Sequence, residues 1–290
     1  MSIALDSECF QCHLRRNLET ARKLGSEEQA TAFAKDLMKL YLSAPAEASS
    51  PWLAPDTAEL FRKHYGVPED RFREEKEISN RFVLARLDRI RVRVESAEDP
   101  LLAGLQFAIL GNYIDFSSLQ GQVSFEELDG LLDRAGEMTP EGAGYDALRS
   151  DLAAGKKLLY LTDNAGEIGF DRIFAEMIQR HYPQLEITFC VRGGPAMNDA
   201  LRADAELMGV PFPVIDNGNR VAGTQLDQLS ETAKAALEEA DVIIAKGQGN
   251  IETMYGCGYN VYYAFLVKCA RFVQMFNRPK LTPMLVKERT

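Results

Sequence analysis

The chain has 290 residues, enough for one large domain or two smaller ones, with 46% hydrophobic and 26% charged residues, as in ordinary globular proteins. Its formal net charge is -10 and it has no long basic run, which argues against a nucleic-acid partner, since nucleic-acid phosphates need a concentrated Lys/Arg surface. Its five cysteines, an odd number in a chain of this size, do not match a secreted disulfide scaffold.

Targeting and membrane signals are weak in this chain. Residues 1–6 contain no basic region followed by an apolar core, so we expect no signal peptide. The most apolar late stretch, residues 262–273, includes Lys268 and Arg271 and is too short to span a bilayer. We therefore expect a cytoplasmic protein without a membrane segment.

The first half of the chain predicts helices, because its apolar residues recur every three to four positions. The predicted helices cover residues 9–24, 27–42, 57–65, 71–94, 100–114, 125–135 and 144–154, with a Pro- and Ser-bearing loop at 44–55.

From Lys156 the pattern changes to short apolar runs that alternate with helical segments. The runs at 156–162, 186–191 and 241–245 predict buried strands, and the segments at 168–181, 197–208 and 229–240 predict the helices between them. This alternation is typical of βαβ units and a parallel sheet. We therefore predict an α/β fold, with a helical domain at 1–155 packed on an α/β domain at 156–290.

The loop after the first predicted strand has the sequence DNAGE, residues 163–167. Ligands of open α/β sheets bind at the carboxyl ends of the strands, where this loop lies. Asp163 and Asn164 offer oxygen ligands that suit Mg²⁺ or Mn²⁺, and Glu167 begins the next helix. Helix capping by Asp163 and Asn164 would explain the same residues equally well.

Two further loops follow the other predicted strands. In residues 192–199, RGGPAMND, Arg192 could clamp a phosphate and Asp199 could ligate a metal, with Asn198 and Asp199 opening the next helix. In residues 246–250, KGQGN, Lys246 could neutralise a phosphoryl group. Taken singly, each of these two loops is better explained as a helix cap or a turn. The combination of anionic and cationic side chains in the three loops favours a metal and phosphate site.

Three common phosphate motifs do not fit. The Rossmann fingerprint needs a third glycine where Glu252 stands after Gly247 and Gly249, and no Walker A loop is present. A haloacid-dehalogenase-type phosphatase would carry a second aspartate two residues after its nucleophile, and Ala165 occupies that position after Asp163.

At these loops the sequence resembles the metal-dependent damage-control phosphatases, also known as domain of unknown function 89. The resemblance includes the three loops, residues 111–115 (GNYID) and residues 265–269 (FLVKC), and a CxxC pair at Cys9 and Cys12 resembles a prokaryotic subfamily. It extends from Cys9 to about Cys269, and the set of motifs is specific although each motif alone is weak.

The resemblance implies a three-layer α/β/α core beside a helical domain and the hydrolysis of phosphate esters of small metabolites, such as sugar phosphates. It implies a divalent metal, Mn²⁺, Mg²⁺, Co²⁺ or Ni²⁺, held by Asp163, Asn164 and Asp199, with Lys246 contacting the phosphate. The further candidates for catalytic, substrate-binding or supporting roles are Glu167, Arg192, Asn112, Asp115 and Asn250.

A second metal site is a separate hypothesis. Cys9 and Cys12 are three residues apart on a predicted helix, so their thiols share one face, and His13 is adjacent. With further ligands from Cys269, Cys257 or His13 they could bind zinc or an iron–sulfur cluster, although a pair of buried cysteines, or an occasional disulfide, explains the motif slightly better.

Two other function classes remain open on the sequence. A methyltransferase on a similar sheet would bind an adenosyl cofactor without metal and would give Lys246 no role. A non-catalytic metal-binding protein would depend on Cys9 and Cys12 and would tolerate the loss of Asp163.

Overall fold

The computed structural model describes residues 2–114, 125–142 and 144–288. The N-terminal half is helical, as predicted, with a short 3-10 helix at Ser50–Leu53 inside the predicted loop. Its α-helices are α1 (Ser7–Leu24), α2 (Glu27–Ser43), α3 (Ala54–Tyr65), α4 (Arg73–Leu84), α5 (Leu87–Glu95), α6 (Pro100–Gly111), α7 (Phe125–Asp133) and α8 (Tyr145–Ala154).

Strands and helices alternate in the second half, and all three predicted strands are confirmed. The elements in chain order are β1 (Lys157–Leu161), α9 (Glu167–His181), β2 (Glu186–Val191), α10 (Arg202–Leu207), β3 (Val214–Asp216), α11 (Glu231–Glu239), β4 (Val242–Lys246), α12 (Gly247–Met254), β5 (Val261–Leu266), α13 (Ala270–Phe276) and β6 (Pro283–Lys287).

The strands form one sheet in the order β3-β2-β1-β4-β5-β6. The first five are parallel and β6 is antiparallel to β5. Alternate side chains of β1 enter different cores: Leu158 and Tyr160 pack with α6 and α9, whereas Leu159 and Leu161 pack with α11 to α13. The sheet is therefore covered on both faces, which confirms the predicted three-layer α/β/α arrangement.

The strand order reverses between β1 and β4. From β1 the chain proceeds outward to β2 and β3, and it then returns to β4 on the other side of β1. Leu161 at the end of β1 lies beside Ala245, so Asp163, two residues after β1, and Lys246, the last residue of β4, lie at the carboxyl ends of two adjacent strands. Such a switch point opens a crevice between the diverging connections, which is where open α/β sheets bind ligands.

Helix α6 is buried around its whole circumference, which explains why its sequence is apolar on every side. It packs closely on α9 because Gly104 and Gly111 face that helix. A Cβ added at Gly104 would lie 3.2 Å from Phe174 Cα, and one at Gly111 would lie 2.8 Å from Glu167 Cγ. This close approach brings Asn112, the residue after α6, next to Glu167.

Two helix predictions need correction. The predicted helix at 71–94 is broken into α4 and α5, because the Arg86 guanidinium donates to the Phe82 carbonyl and the Arg86 backbone N–H donates to Val83 instead. The predicted helix at 197–208 begins only at Arg202, because the backbone of Asp199 pairs with that of Asn164. Strands β3, β5 and β6 were not among the predicted elements.

The largest hydrophobic cluster joins residues from α4 to α8 with residues of the sheet and α9. A separate cluster is built by α1, α2 and α3 around Phe33 and Phe61. The division into domains at residues 155 and 156 stays a prediction. Within the described residues, no helix combines the length and apolar character needed to cross a bilayer.

We predict that Gly111→Ala lowers the free energy of unfolding by about 1–3 kcal/mol, because its methyl group would overpack the contact between α6 and α9. Gly130→Ala is the matched control, since an added Cβ in α7 meets nothing within 4 Å. That change should stabilise the protein by up to ~1 kcal/mol through helix propensity. Urea denaturation measures both, and equal effects would contradict the close packing.

Candidate active site

The loop after β2 is joined to the loop after β1 by backbone hydrogen bonds. Asn164 and Asp199 form an isolated antiparallel bridge, and the Ala200 N–H donates to the Asp163 carbonyl at 2.7 Å. The prediction that Asp199 opens a helix is therefore wrong, because its backbone pairs with the neighbouring loop and α10 begins only at Arg202. The pairing brings the two candidate carboxylates, Asp163 and Asp199, to one edge of the sheet.

Two side-chain amides orient the Asp163 carboxylate. Asn112 Nδ2 and Asn164 Nδ2 both donate to Asp163 Oδ2, at 2.7 and 2.8 Å. Asp163 is only 8% exposed, and both amide residues are buried more completely. The Asn164 amide oxygen points the other way and accepts a hydrogen bond from Asn198 Nδ2 at 2.7 Å.

Glu167 connects these amides to Lys246. One carboxylate oxygen, Oε2, accepts from Asn164 Nδ2 at 2.6 Å and from Asn112 Nδ2 at 3.2 Å. The other, Oε1, accepts from Lys246 Nζ at 2.7 Å. Glu167 has no exposed surface, so its charge depends on these contacts for compensation.

Lys246 is fully buried, and its ammonium group uses all three of its N–H donors. They reach Glu167 Oε1 at 2.7 Å, Asp171 Oδ1 at 2.6 Å and the Ala108 carbonyl at 2.8 Å. Burial alone would lower the pKa of Lys246, but the two carboxylates outweigh it and hold that pKa above its ordinary value. In this arrangement the charge of Lys246 acts on the site through Glu167, and direct contact with a substrate would require one of the three hydrogen bonds to break.

Asp171 is a site residue that the sequence analysis missed. It lies one turn after Glu167 on α9, so the i, i+4 spacing was the available signal. Asp171 Oδ1 accepts from Lys246 and from the Tyr160 hydroxyl, at 2.6 and 2.9 Å, whereas Asp171 Oδ2 is buried and has no hydrogen-bond partner. Burial raises the pKa of Asp171 to about 7, although Lys246 opposes that rise.

Arg192 is buried and paired with Asp199. Its Nε donates to Asp199 Oδ2 at 2.6 Å, and one terminal nitrogen donates to Asn250 Oδ1 at 3.3 Å. Because both members of the pair are almost fully buried, each compensates the charge of the other in a region with little water. Arg192, which was predicted to bind phosphate, is thus paired directly with Asp199, which was predicted to bind the metal.

The predicted loop at 246–250 is wrong in form, because Lys246 ends β4 and Gly247 already begins α12. Asn250, in the first turn of α12, uses both ends of its amide in contacts with the ends of β1, β2 and β4. Its Nδ2 donates to the carbonyls of Thr162 and Lys246, at 3.1 and 2.6 Å. Its Oδ1 accepts from Arg192 and from the Thr224 hydroxyl. A substrate-binding role for Asn250 stays a prediction. Asp115, the remaining predicted substrate contact, lies outside the described residues.

The residues at the β1 and β2 ends fit a hard divalent cation by their chemistry, since Asp163, Asn164 and Asp199 offer only oxygen ligands. Two buried amide donors hold the Asp163 carboxylate, and Gly247 lies close against it: a Cβ added there would lie 1.9 Å from Asp163 Oδ2. Across the described ranges, no three His, Cys, Asp or Glu side chains are grouped as metal ligands. The candidate set consists of two carboxylates and one amide.

The cysteine pair Cys9 and Cys12, predicted to bind a second metal, lies on α1. None of the five cysteines forms a disulfide, and Cys9 Sγ accepts from an Arg271 guanidinium nitrogen at 3.5 Å. Cys269 Sγ accepts from the Gln248 amide at 3.6 Å. Burial raises the pKa of Cys9 to about 11, so its thiol is protonated near neutral pH as long as no metal is bound. The zinc or iron–sulfur site at Cys9, Cys12 and Cys269 stays a prediction.

We predict a pH-dependent stability that originates at Asp171. Its folded-state pKa, about 7, lies above its ordinary value of 3.8, so the folded protein holds the proton more tightly than the unfolded chain does. The resulting stabilisation is fully present below pH ~4 and is lost as the pH rises through ~7. The wild type should therefore lose stability relative to Asp171→Asn between pH 4 and 7. Urea denaturation at several pH values measures this, and a pH-independent difference would contradict it.

Comparison with known proteins places these residues in a family. The family model described as Damage-control phosphatase ARMT1-like domain matches residues 5–281. A damage-control phosphatase of Archaeoglobus fulgidus is 32% identical over 252 residues, which cover 85% of this chain and 85% of that protein. An uncharacterized protein of Methanocaldococcus jannaschii is 30% identical over 282 residues, covering 92% of this chain and 90% of that protein.

A damage-control phosphatase of Pyrococcus horikoshii is 34% identical over 182 residues, 61% of each chain. The crystal structure of a DUF89 family protein from the same organism superposes with a TM-score of 0.85 and 26% identity, covering 99% of both chains. The family match extends from before α1 to after α13 and therefore includes both the helical half and the sheet. The chain belongs to the damage-control phosphatase ARMT1-like family and is a hydrolase of the phosphatase class.

Proposed function

We propose that this protein is a metal-dependent phosphatase that hydrolyses phosphate monoesters of small metabolites, sugar phosphates among them. The observation that carries the proposal is the position of the Asp163 carboxylate, which lies at the switch point between β1 and β4 and is oriented by two buried amides. Such a carboxylate is organised before any ligand binds, so little reorganisation is needed during the reaction.

The charges of the site support a divalent cation. Four carboxyl groups meet two cationic groups at this edge: Asp163, Glu167, Asp171 and Asp199 against Lys246 and Arg192. A phosphate dianion would not enter such a site without further positive charge. A divalent metal ion, with Mn²⁺, Mg²⁺, Co²⁺ and Ni²⁺ as the candidates, would supply that charge.

Asp163, Asn164 and Asp199 are the residues that we propose as its ligands. A bound cation would polarise a phosphoryl oxygen and lower the barrier to attack by water. The protein's own part is to hold the ligands in place. Asn112 and Glu167 fix the Asp163 and Asn164 side chains, and Arg192 holds Asp199 by its ion pair.

The positive charges of Lys246 and Arg192 limit the repulsion between the carboxylates and an incoming phosphate. Lys246 acts through Glu167 in the arrangement described, and Arg192 acts beside Asp199. The family assignment supports this proposal over a methyltransferase, which would give Lys246 no role, and over a non-catalytic protein organised around Cys9 and Cys12.

We expect Asp163→Ala to abolish metal-dependent phosphate release, because it removes a proposed metal ligand and the group that both amides orient. The assay measures inorganic phosphate from a panel of sugar phosphates and from p-nitrophenyl phosphate, with Mg²⁺, Mn²⁺, Co²⁺ or Ni²⁺. Asp227→Ala is the matched control, since Asp227 is an exposed aspartate whose carboxylate accepts a hydrogen bond from the Gln225 side chain two residues away. It should retain full activity.

Either of two results would reject the proposal. One is a folded Asp163→Ala variant with the activity of the wild type. The other is wild-type protein that releases no phosphate with any of the four metals.

Gly247 provides a test of the geometry around Asp163. Its φ is +76°, and an added Cβ would lie 1.9 Å from Asp163 Oδ2, so Gly247→Ala must displace the carboxylate. A displacement of about 1 Å can cost ~100-fold in rate, and we expect kcat/KM to fall by about that factor. Gly258→Ala separates backbone strain from the clash, because Gly258 has a φ of +81° but nothing within 4 Å of its added Cβ. Equal losses of activity in the two variants would contradict this account.

A further inference from the structure

The second carboxylate of α9, Asp171, has no part in the proposed metal or phosphate contacts, yet it is fully buried next to them. It accepts a hydrogen bond from Lys246 Nζ at 2.6 Å and one from the Tyr160 hydroxyl at 2.9 Å, both at Oδ1. Taking two carboxylates and an ammonium out of water is costly unless their contacts are nearly complete. The burial of a carboxyl group at Asp171 therefore calls for an explanation other than packing.

The geometry around Lys246 suggests that reason. An ammonium group has three donors, and here each has one acceptor: Glu167 Oε1, Asp171 Oδ1 and the Ala108 carbonyl. Three acceptors in three directions leave the ammonium group no freedom to turn. Without Asp171, one donor would lack a partner in a region that has no exposed surface, and Lys246 would move to satisfy it.

A shift of Lys246 would be transmitted to Asp163 through short contacts only. Lys246 holds Glu167 Oε1 at 2.7 Å, Glu167 Oε2 holds Asn164 Nδ2 at 2.6 Å, and Asn164 Nδ2 holds Asp163 Oδ2 at 2.8 Å. The same Asn164 amide has its oxygen turned toward Asn198 because its nitrogen faces the two carboxylates. The orientation of a proposed metal ligand thus depends on the position of a lysine that does not touch it.

We propose that Asp171 is a positioning residue of the reaction: it fixes the Lys246 ammonium group and, through Glu167 and Asn164, the orientation of Asp163. The inference rests on the proposed phosphatase function. The positioning role requires a hydrogen-bond acceptor at Asp171 Oδ1. An asparagine at this position also offers an acceptor, whereas an alanine or a leucine does not.

The experiment is a double-mutant cycle on kcat with p-nitrophenyl phosphate and Mn²⁺. Asp171→Ala should lower kcat by about tenfold or more while KM changes little. The reason is that loss of the Asp171 acceptor disturbs the arrangement of the reacting groups rather than substrate binding. Asp171→Asn, which keeps the acceptor, should retain most of the activity. In a Lys246→Met background, Asp171→Ala should cause no further loss, because its effect passes through Lys246.

Asp151 supplies the matched control. It too accepts hydrogen bonds from a lysine and a tyrosine, since Lys287 Nζ and the Tyr262 hydroxyl both donate to its Oδ2, at 2.7 and 2.6 Å. It lies in α8, away from the loops of the site. Asp151→Ala should therefore affect stability without lowering kcat. If Asp171→Ala does not fold, Asp171→Leu fills the space but accepts no hydrogen bond, and the same cycle is measured with it.

The outcomes separate the positioning role from the proposed function. Additive losses in the cycle, or wild-type kcat in a folded Asp171→Ala variant, would overturn the positioning role. If the wild type releases no phosphate with any metal, the proposed phosphatase function fails. The affinity for Mn²⁺ of the same four proteins is then measured by calorimetry. A weaker affinity that follows the coupled pattern supports positioning, and unchanged or absent Mn²⁺ binding overturns it.

Discussion

The site depends on one ammonium group that has been removed from water. Lys246 ends β4 with its charge fully buried, and the two carboxylates that compensate it, Glu167 and Asp171, come from successive turns of α9. The third acceptor is the Ala108 carbonyl of α6. One side chain therefore requires a strand and two helices to meet at a fixed distance, since an unpaired buried charge would cost several kcal/mol. Glu167, held in this way, accepts from the same Asn112 and Asn164 amides that donate to Asp163.

The negative charge of the site is partly neutralised in separate places. Lys246 faces the carboxylates of α9, whereas Arg192 faces Asp199 on the opposite side of Asn164. Asn164 lies between the two pairs, with its amide nitrogen toward one and its oxygen toward the Asn198 amide. An arrangement of this kind retains a net negative charge at the crevice while each of the four carboxyl groups accepts at least one hydrogen bond, which is consistent with the proposed cation.

The strand ends could be predicted from the sequence, and the contacts between them could not. Periodicity identifies β1, β2 and β4, and parallel strands bring Asp163 and Lys246 to one edge without further information. Asp199 was expected in a helix, because a local pattern does not reveal that its backbone pairs with Asn164, 35 positions earlier in the chain. Asp171 was missed because a carboxylate on a helix is usually solvated. Its contact with Lys246, 75 positions later in the chain, is visible only in the folded structure. The antiparallel β6 and the short β3 lacked a strong pattern for the same reason: their partners decide their conformation.

The burial of α6 has a consequence for the order in which the protein can fold. This helix is apolar around its circumference, and its packing partners, α9 and β5, lie about 60 to 160 positions later in the chain. During synthesis α6 leaves the ribosome before α9 and β5 exist, so α5, which precedes it, can cover only part of its surface. Until α9 and β5 are complete, the nascent chain presents a partly uncovered apolar helix, a feature that chaperones recognise and that favours aggregation. The helix that brings Asn112 to Asp163 is thus also a segment that stays partly exposed until most of the chain has been made.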